Sequence, residues 1–197
     1  MSADLVPLDL RRRDLLRAAG LAAAGGSLGV EAAQHVHQAA AEEKKAAGAY
    51  KPKFFHPHEF RTLEALTETT IPGARKAGAP EFIDLLCSGN DELGAIFTGG
   101  LLWMDQHMER KHRTSWVGAA PEQQRALLDS IAYKKNETEE LAPGVLFFDW
   151  VRKMSADAYY TSPEGVKELG YLGNKGAPEF KVPEEAYEYA LKRSGLG

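Results

Sequence analysis

Apolar side chains recur every three or four residues along most of the chain beyond Phe54, and proline, glycine and small polar residues bound each run. That spacing puts them on one face of an α-helix, whereas a half-buried strand would alternate. Pro57 suits a first helical position, and Phe60, Leu63, Leu66 and Thr67 follow on one side until Ile71-Pro72 stops the helix. Pro80 opens a shorter helix containing Phe82, Ile83, Leu85, Leu86 and Cys87, closed by Ser88-Gly89. Asp91 is placed to cap a long third helix with the stripe Leu93, Ile96, Phe97, Leu101, Met104 and Met108. Its Gly99-Gly100 pair is costly in a helix interior, so either a neighbour approaches closely there or the helix kinks.

Pro121-Glu122 begins a fourth helix with Leu127, Leu128, Ile131 and Ala132 inward, and Pro143-Gly144 precede a fifth, the most apolar, from Val145 to about Tyr160. Ser162-Pro163-Glu164 supplies a cap, a first-turn proline and a first-turn acid, and Gly170 sits where that helix ends. Pro183 opens a last helix through Lys192. Alternating β-branched runs are nearly absent. The pattern therefore predicts an all-α fold without repeats: a single compact helical domain of about six to seven helices, spanning residues 54–197.

The chain before Phe54 reads differently. Residues 34–53 are rich in Ala, Glu and Lys with no sustained apolar period, and are expected to be a linker with little to bury. Ahead of them, Arg11-Arg12-Arg13-Asp14-Leu15-Leu16-Arg17 runs into an Ala/Gly segment ending near Val30. Arg12, Arg13, Asp14, Leu15, Leu16 and Arg17 fill in order a pattern that resembles the twin-arginine export signal, Arg-Arg-x-(Phe/Leu)-Leu-(Lys/Arg). General secretory signals share the plan but have a greasier middle. Residues 1–33 thus read as the signal of a route that carries folded cargo, which places the protein in the periplasm. The stretch from Ala18 to Val30 is too short for a bilayer, which needs about 20 apolar residues. Two small-residue exits are open, after Ala32 (Val30-Glu31-Ala32) and after Ala41 (Ala39-Ala40-Ala41), and the sequence does not choose between them. No later stretch resembles a membrane span, so the mature protein is expected to be soluble, or peripheral through a partner.

Composition narrows the function classes. The 197-residue chain is 44% hydrophobic and 26% charged, as a globular domain with a real core would be. Its formal net charge is -4, and part of the basic charge sits in the expected signal, so the remainder is more acidic still. That balance argues against a nucleic-acid or anionic-lipid partner. Cys87 is the only cysteine, which rules out an internal disulfide, and its apolar neighbours Ile83, Leu85 and Leu86 mark it as a buried residue rather than a reactive thiol.

Candidate chemistry is sparse. No G-x-G-x-x-G follows a strand, so the chain shows no dinucleotide loop for flavin or nicotinamide. There is no C-x-x-C-H for haem, and one cysteine cannot hold an iron–sulfur cluster. Histidines come as His35/His37, His56/His58 and His107/His112, and five residues of helix turn the last pair well apart, unlike the i,i+4 pair of a zinc helix. Glu59, Glu64, Glu68, Glu81 and Asp84 fall mostly early on helices, where they favour the dipole and can face water. No catalytic set emerges. What stands out is the aromatic crowd Phe147, Phe148, Trp150, Tyr159, Tyr160 and Tyr171, next to Gly173-Asn174-Lys175-Gly176. These rings are either core or the face that meets a partner, where tyrosine and tryptophan are favoured. Phe147, Trp150, Tyr159, Tyr160, Tyr171 and Asn174 are the candidate partner residues.

The segments Glu59-Phe60-Arg61-Thr62-Leu63-Glu64-Ala65-Leu66 with Ile71-Pro72, Gly78-Ala79-Pro80-Glu81-Phe82-Ile83-Asp84, and Gly99-Gly100-Leu101-Leu102-Trp103-Met104-Asp105 stand in order. Phe147-Phe148-Asp149-Trp150-Val151-Arg152, Tyr159-Tyr160-Thr161-Ser162-Pro163 and Gly170-Tyr171-Leu172-Gly173-Asn174 complete the series. Together, from about Phe55 to Phe180 and behind the signal, they resemble the gluconate 2-dehydrogenase subunit 3 family, the small (gamma) subunit of flavin-dependent sugar dehydrogenases. The resemblance implies a non-catalytic subunit that stabilises a flavoprotein of the glucose–methanol–choline type and supplies the export signal that subunit lacks. FAD would lie in the partner, with no cofactor in this chain, and electrons would pass to a cytochrome c or another acceptor. The twin-arginine translocase would be a partner during export. A stand-alone exported enzyme acting on sugars and a transient periplasmic folding helper are the alternatives.

Overall fold

A computed structural model describes residues 30–171 and 182–194 of the chain. Within them the helices are α1 (Val30–Ala47), α2 (Pro57–Thr70), α3 (Ala79–Gly89), α4 (Asp91–His112), α5 (Pro121–Ile131), α6 (Ala142–Tyr160), α7 (Pro163–Glu168) and α8 (Glu184–Ser194). Single 3-10 turns at Trp116–Gly118 and Lys134–Asn136 flank α5. Among the described residues there is no strand, and the expected all-α class holds. The sequence anticipated one helix fewer, because α1 was not expected.

α3 is the hub. Every residue from Ala79 to Cys87 is buried, and the helix packs on α1, α2, α4 and α6. A helix enclosed on all sides must be apolar nearly all round, and Phe82, Ile83, Leu85 and Leu86 make it so. Each such side chain contributes about 1.5–3 kcal/mol by leaving water. Cys87 is 1% exposed and unpaired, and burial raises its thiol pKa, consistent with its reading as packing.

α4 and α6 run antiparallel in close contact. The Phe147 ring lies so near Gly100 that a Cβ there would fall 2.0 Å from Phe147 Cδ2, and Trp103 lies as closely over Gly144. The Phe147 ring also packs T-shaped with Phe97, with centroids 5.6 Å apart at 84°. The Gly99-Gly100 pair therefore marks a close approach at Gly100, while Gly99 faces open space. The cap of α4 is Asn90 rather than Asp91: its side chain accepts the Leu93 N–H at 2.9 Å. α7 begins as expected, with Ser162 Oγ accepting the Gly165 N–H at 3.1 Å.

Residues 34–53 are not a bare linker. α1 covers most of them and buries Ala33, Val36 and Ala40 against the core. Alanines and one valine give a faint apolar period, yet their small size lets α1 approach α3 closely, so the stripe is real although its signal is weak. His37 Nε2 meets Thr161 Oγ1 at 3.1 Å, Lys44 pairs with Glu81 at 2.5 Å, and Lys53 with Glu43 at 2.9 Å.

The segment after α1 is tied down by a carboxylate. Asp84 is 0% exposed and accepts from Tyr50 Oη (2.7 Å), Lys53 N (2.7 Å), Phe54 N (3.1 Å) and Phe55 N (3.0 Å). Glu81 is also buried, so these two acids do not face water as expected. Four donors satisfy Asp84 inside the hub, whereas Glu81 meets Lys44 through Oε1 and leaves Oε2 buried without a hydrogen-bond partner.

Candidate partner surface

α6 turns Val145, Phe147, Phe148, Val151, Met154 and Ala158 inward. At 100° per residue this leaves Leu146, Trp150, Lys153, Asp157 and Tyr160 on the opposite side. Leu146 is 67% exposed and Tyr160 43%, and Trp150 is half-buried. Lys153 Nζ lies 5.6 Å from the Trp150 ring centroid and 2.7 Å from Asp149 Oδ2, which also has Arg152 at its other oxygen. The Lys153 hydrogen bond holds the Asp149 carboxyl below its ordinary range. The stripe thus sets exposed apolar and aromatic surface beside paired charges.

The structure divides the candidate residues. Phe147, 3% exposed, is core: Phe97 and Gly100 enclose it, and it cannot meet a partner. Tyr159 is half-buried and joins α6 to α7. Its hydroxyl donates to Glu168 Oε2 at 2.5 Å, which raises the phenol pKa, and its ring lies beside Gly73. Tyr160 stands edge-on to Tyr159 at 5.1 Å. Tyr171 is 56% exposed, just past the Gly170 turn that ends α7. Trp150 and Tyr160 share the outer stripe. Asn174, like Arg12, Arg13, Leu15, Leu16 and Arg17, lies outside the described residues. Leu146, and Leu169 at 60% exposure, were missed by sequence reasoning, although the i,i+4 pair Leu146/Trp150 was there to be read.

A groove of about 510 Å³ opens between α1, the turn before α3 and the turn between α6 and α7, lined by His37, Ala40, Lys44, Glu81, Thr161 and Val166 among others. Burial lowers the pKa of His37, so its ring is neutral near pH 7, and it tilts against Phe82. The His37–Thr161 pair does not form a base and nucleophile. Thr161 donates its hydroxyl hydrogen to the Asp157 carbonyl at 2.5 Å, so that hydrogen is not directed at His37 Nε2. Activation of a hydroxyl needs the proton to travel the other way.

The other histidines stay apart. His107 is 2% exposed against Trp103, with Nδ1 3.7 Å from Glu140 and unbonded, and burial first, then Lys111, lower its pKa. His112 meets Gln123 at 3.2 Å, and His58 meets Asp105 at 2.6 Å while Asp105 also accepts the Trp116 N–H at 2.8 Å. No three His, Cys, Asp or Glu side chains among the described residues converge as metal ligands. None of the described helices is long and apolar enough to cross a membrane.

A family model described as gluconate 2-dehydrogenase subunit 3 matches residues 57–178. No curated protein and no solved structure gives a match.

Proposed function

The chain belongs to the gluconate 2-dehydrogenase subunit 3 family, and from that membership we propose that it is the non-catalytic small subunit of a periplasmic, FAD-dependent sugar or glycoside dehydrogenase. The match across residues 57–178, which contain α2 through α7, is the observation that carries this reading. The flavin belongs to the partner, a chain of the glucose–methanol–choline type, which passes electrons to a cytochrome c or similar acceptor. This chain's contribution is to bind and stabilise the flavoprotein, with the outer stripe of α6 as docking face, and to carry it across the membrane in folded form.

That role needs a signal on this chain and a grip strong enough to survive transit. Lysine keeps the charge of the arginine pair but not the planar, multi-donor guanidinium. Changing Arg11, Arg12 and Arg13 together to lysine is expected to leave both subunits folded and paired in the cytoplasm. In cell fractionation, dehydrogenase activity should move from periplasm to cytoplasm without falling in total. Flavoprotein that still reaches the periplasm in this variant would show that another signal transports it.

A further inference from the structure

The two possible exits for the export signal meet very different fates in the folded domain. Ala39-Ala40-Ala41 lies in the middle of α1, with Ala40 7% exposed and Val36 1% exposed one turn before it. The helix is held on both sides of that point, by the His37–Thr161 hydrogen bond at 3.1 Å and the Lys44–Glu81 ion pair at 2.5 Å. A peptidase binds its substrate as an extended segment. Cutting after Ala41 would therefore require α1 to leave its seat, withdrawing Val36 and Ala40 from the core and His37 from the groove wall. Val30-Glu31-Ala32, by contrast, is the first turn of α1. There the leading N–H groups have no partner within the helix, and extending this turn withdraws Ala33, 0% exposed, while Val36, His37 and Ala40 keep their seats.

We propose that export processing cuts the Ala32–Ala33 peptide bond and spares Ala41, so that α1 stays in the mature domain. A signal peptidase adds water across that bond. The water oxygen joins the Ala32 carbonyl carbon, which becomes a carboxylate, and the Ala33 nitrogen departs as the new α-amino group. Both exits lie before residue 57, where the family match begins, so the choice rests on the packing of α1 alone. The proposal rests on the export reading given above.

The full chain, made together with its flavoprotein partner, can be recovered from the periplasm and its first residue read from intact mass. Ala33 is expected. A chain beginning at Glu42, at any other new residue, or still carrying its signal after export overturns the proposal while leaving the export reading intact. Unprocessed chain confined to the cytoplasm removes both. The premise that α1 is held has its own test, in chains begun at Ala33 and at Glu42. The first should unfold within about 2 °C of the full chain, and the second roughly 10 °C lower. Equal midpoints for the two would overturn the proposal.

Discussion

Neighbouring residues of the same type carry opposite duties in this chain. Gly100 has the Phe147 ring 2.0 Å from where its Cβ would stand, whereas Gly99 has nothing within 4 Å. Gly100→Ala is expected to cost about 1–3 kcal/mol through forced repacking, and Gly99→Ala to stabilise by about 0.5–1 kcal/mol through helix propensity. Chemical denaturation of the two variants reads this difference in sign. His107 gives the chain a pH dependence. Its folded pKa lies below the ordinary 6.5, so the unfolded chain takes up a proton first as pH falls. Its contribution is complete above pH 6.5 and is lost as pH falls from there through the folded value. His107→Phe keeps a ring against Trp103 and removes the titrating group. The variant should lose less stability than the parent between about pH 7 and 5 in thermal unfolding. A glycine pair can be seen in a sequence, but which of the two meets a ring cannot, because Phe147 lies far along the chain. Asp84 is similarly opaque: a carboxylate inside a helix reads as water-facing until the donors of residues 50–55 arrive from about thirty residues away.

At the scale of elements, the helices from α2 to α7 were legible because proline and glycine punctuate them and their apolar positions are large. α1 was not legible, since its buried positions are alanines and one valine, which carry little hydrophobic signal, and its anchoring partners Glu81 and Thr161 lie elsewhere in the chain. α6 was legible as apolar, but its two sides were not separable by composition: Phe147 and Trp150 look alike in sequence and differ in what encloses them. The outer stripe should tolerate charge without unfolding. Leu146→Glu, at a site 67% exposed, is expected to change the stability of the lone subunit by no more than about 0.5 kcal/mol. The same change should weaken the complex at least roughly tenfold, as loss of a docking residue does. Trp150→Glu should act in the same direction on the complex. Paired measurements of thermal midpoint and binding decide the matter, and a large loss of stability without loss of binding would mark the stripe as core support.

Among the described residues, several carboxylates tie the turns and helices of this small domain together. Asp84 fixes the entry segment, Glu68 accepts the Gly73 and Arg75 N–H groups of the turn before α3, and Asp105 joins α4 to His58 and Trp116. The buried Asp84, the half-buried Glu68 and Asp105 and the exposed His58 thus hold turns and helix ends in place. A partner chain is therefore central to the proposed role. The most direct measurement is native mass of the complex drawn from cells that make both chains, through a tag on this one. A one-to-one assembly is expected, in which the flavin travels with the larger chain and the Leu146→Glu variant is recovered largely alone. Recovery of this chain alone from cells that contain active flavoprotein, or turnover of a sugar by the purified chain itself, would contradict it.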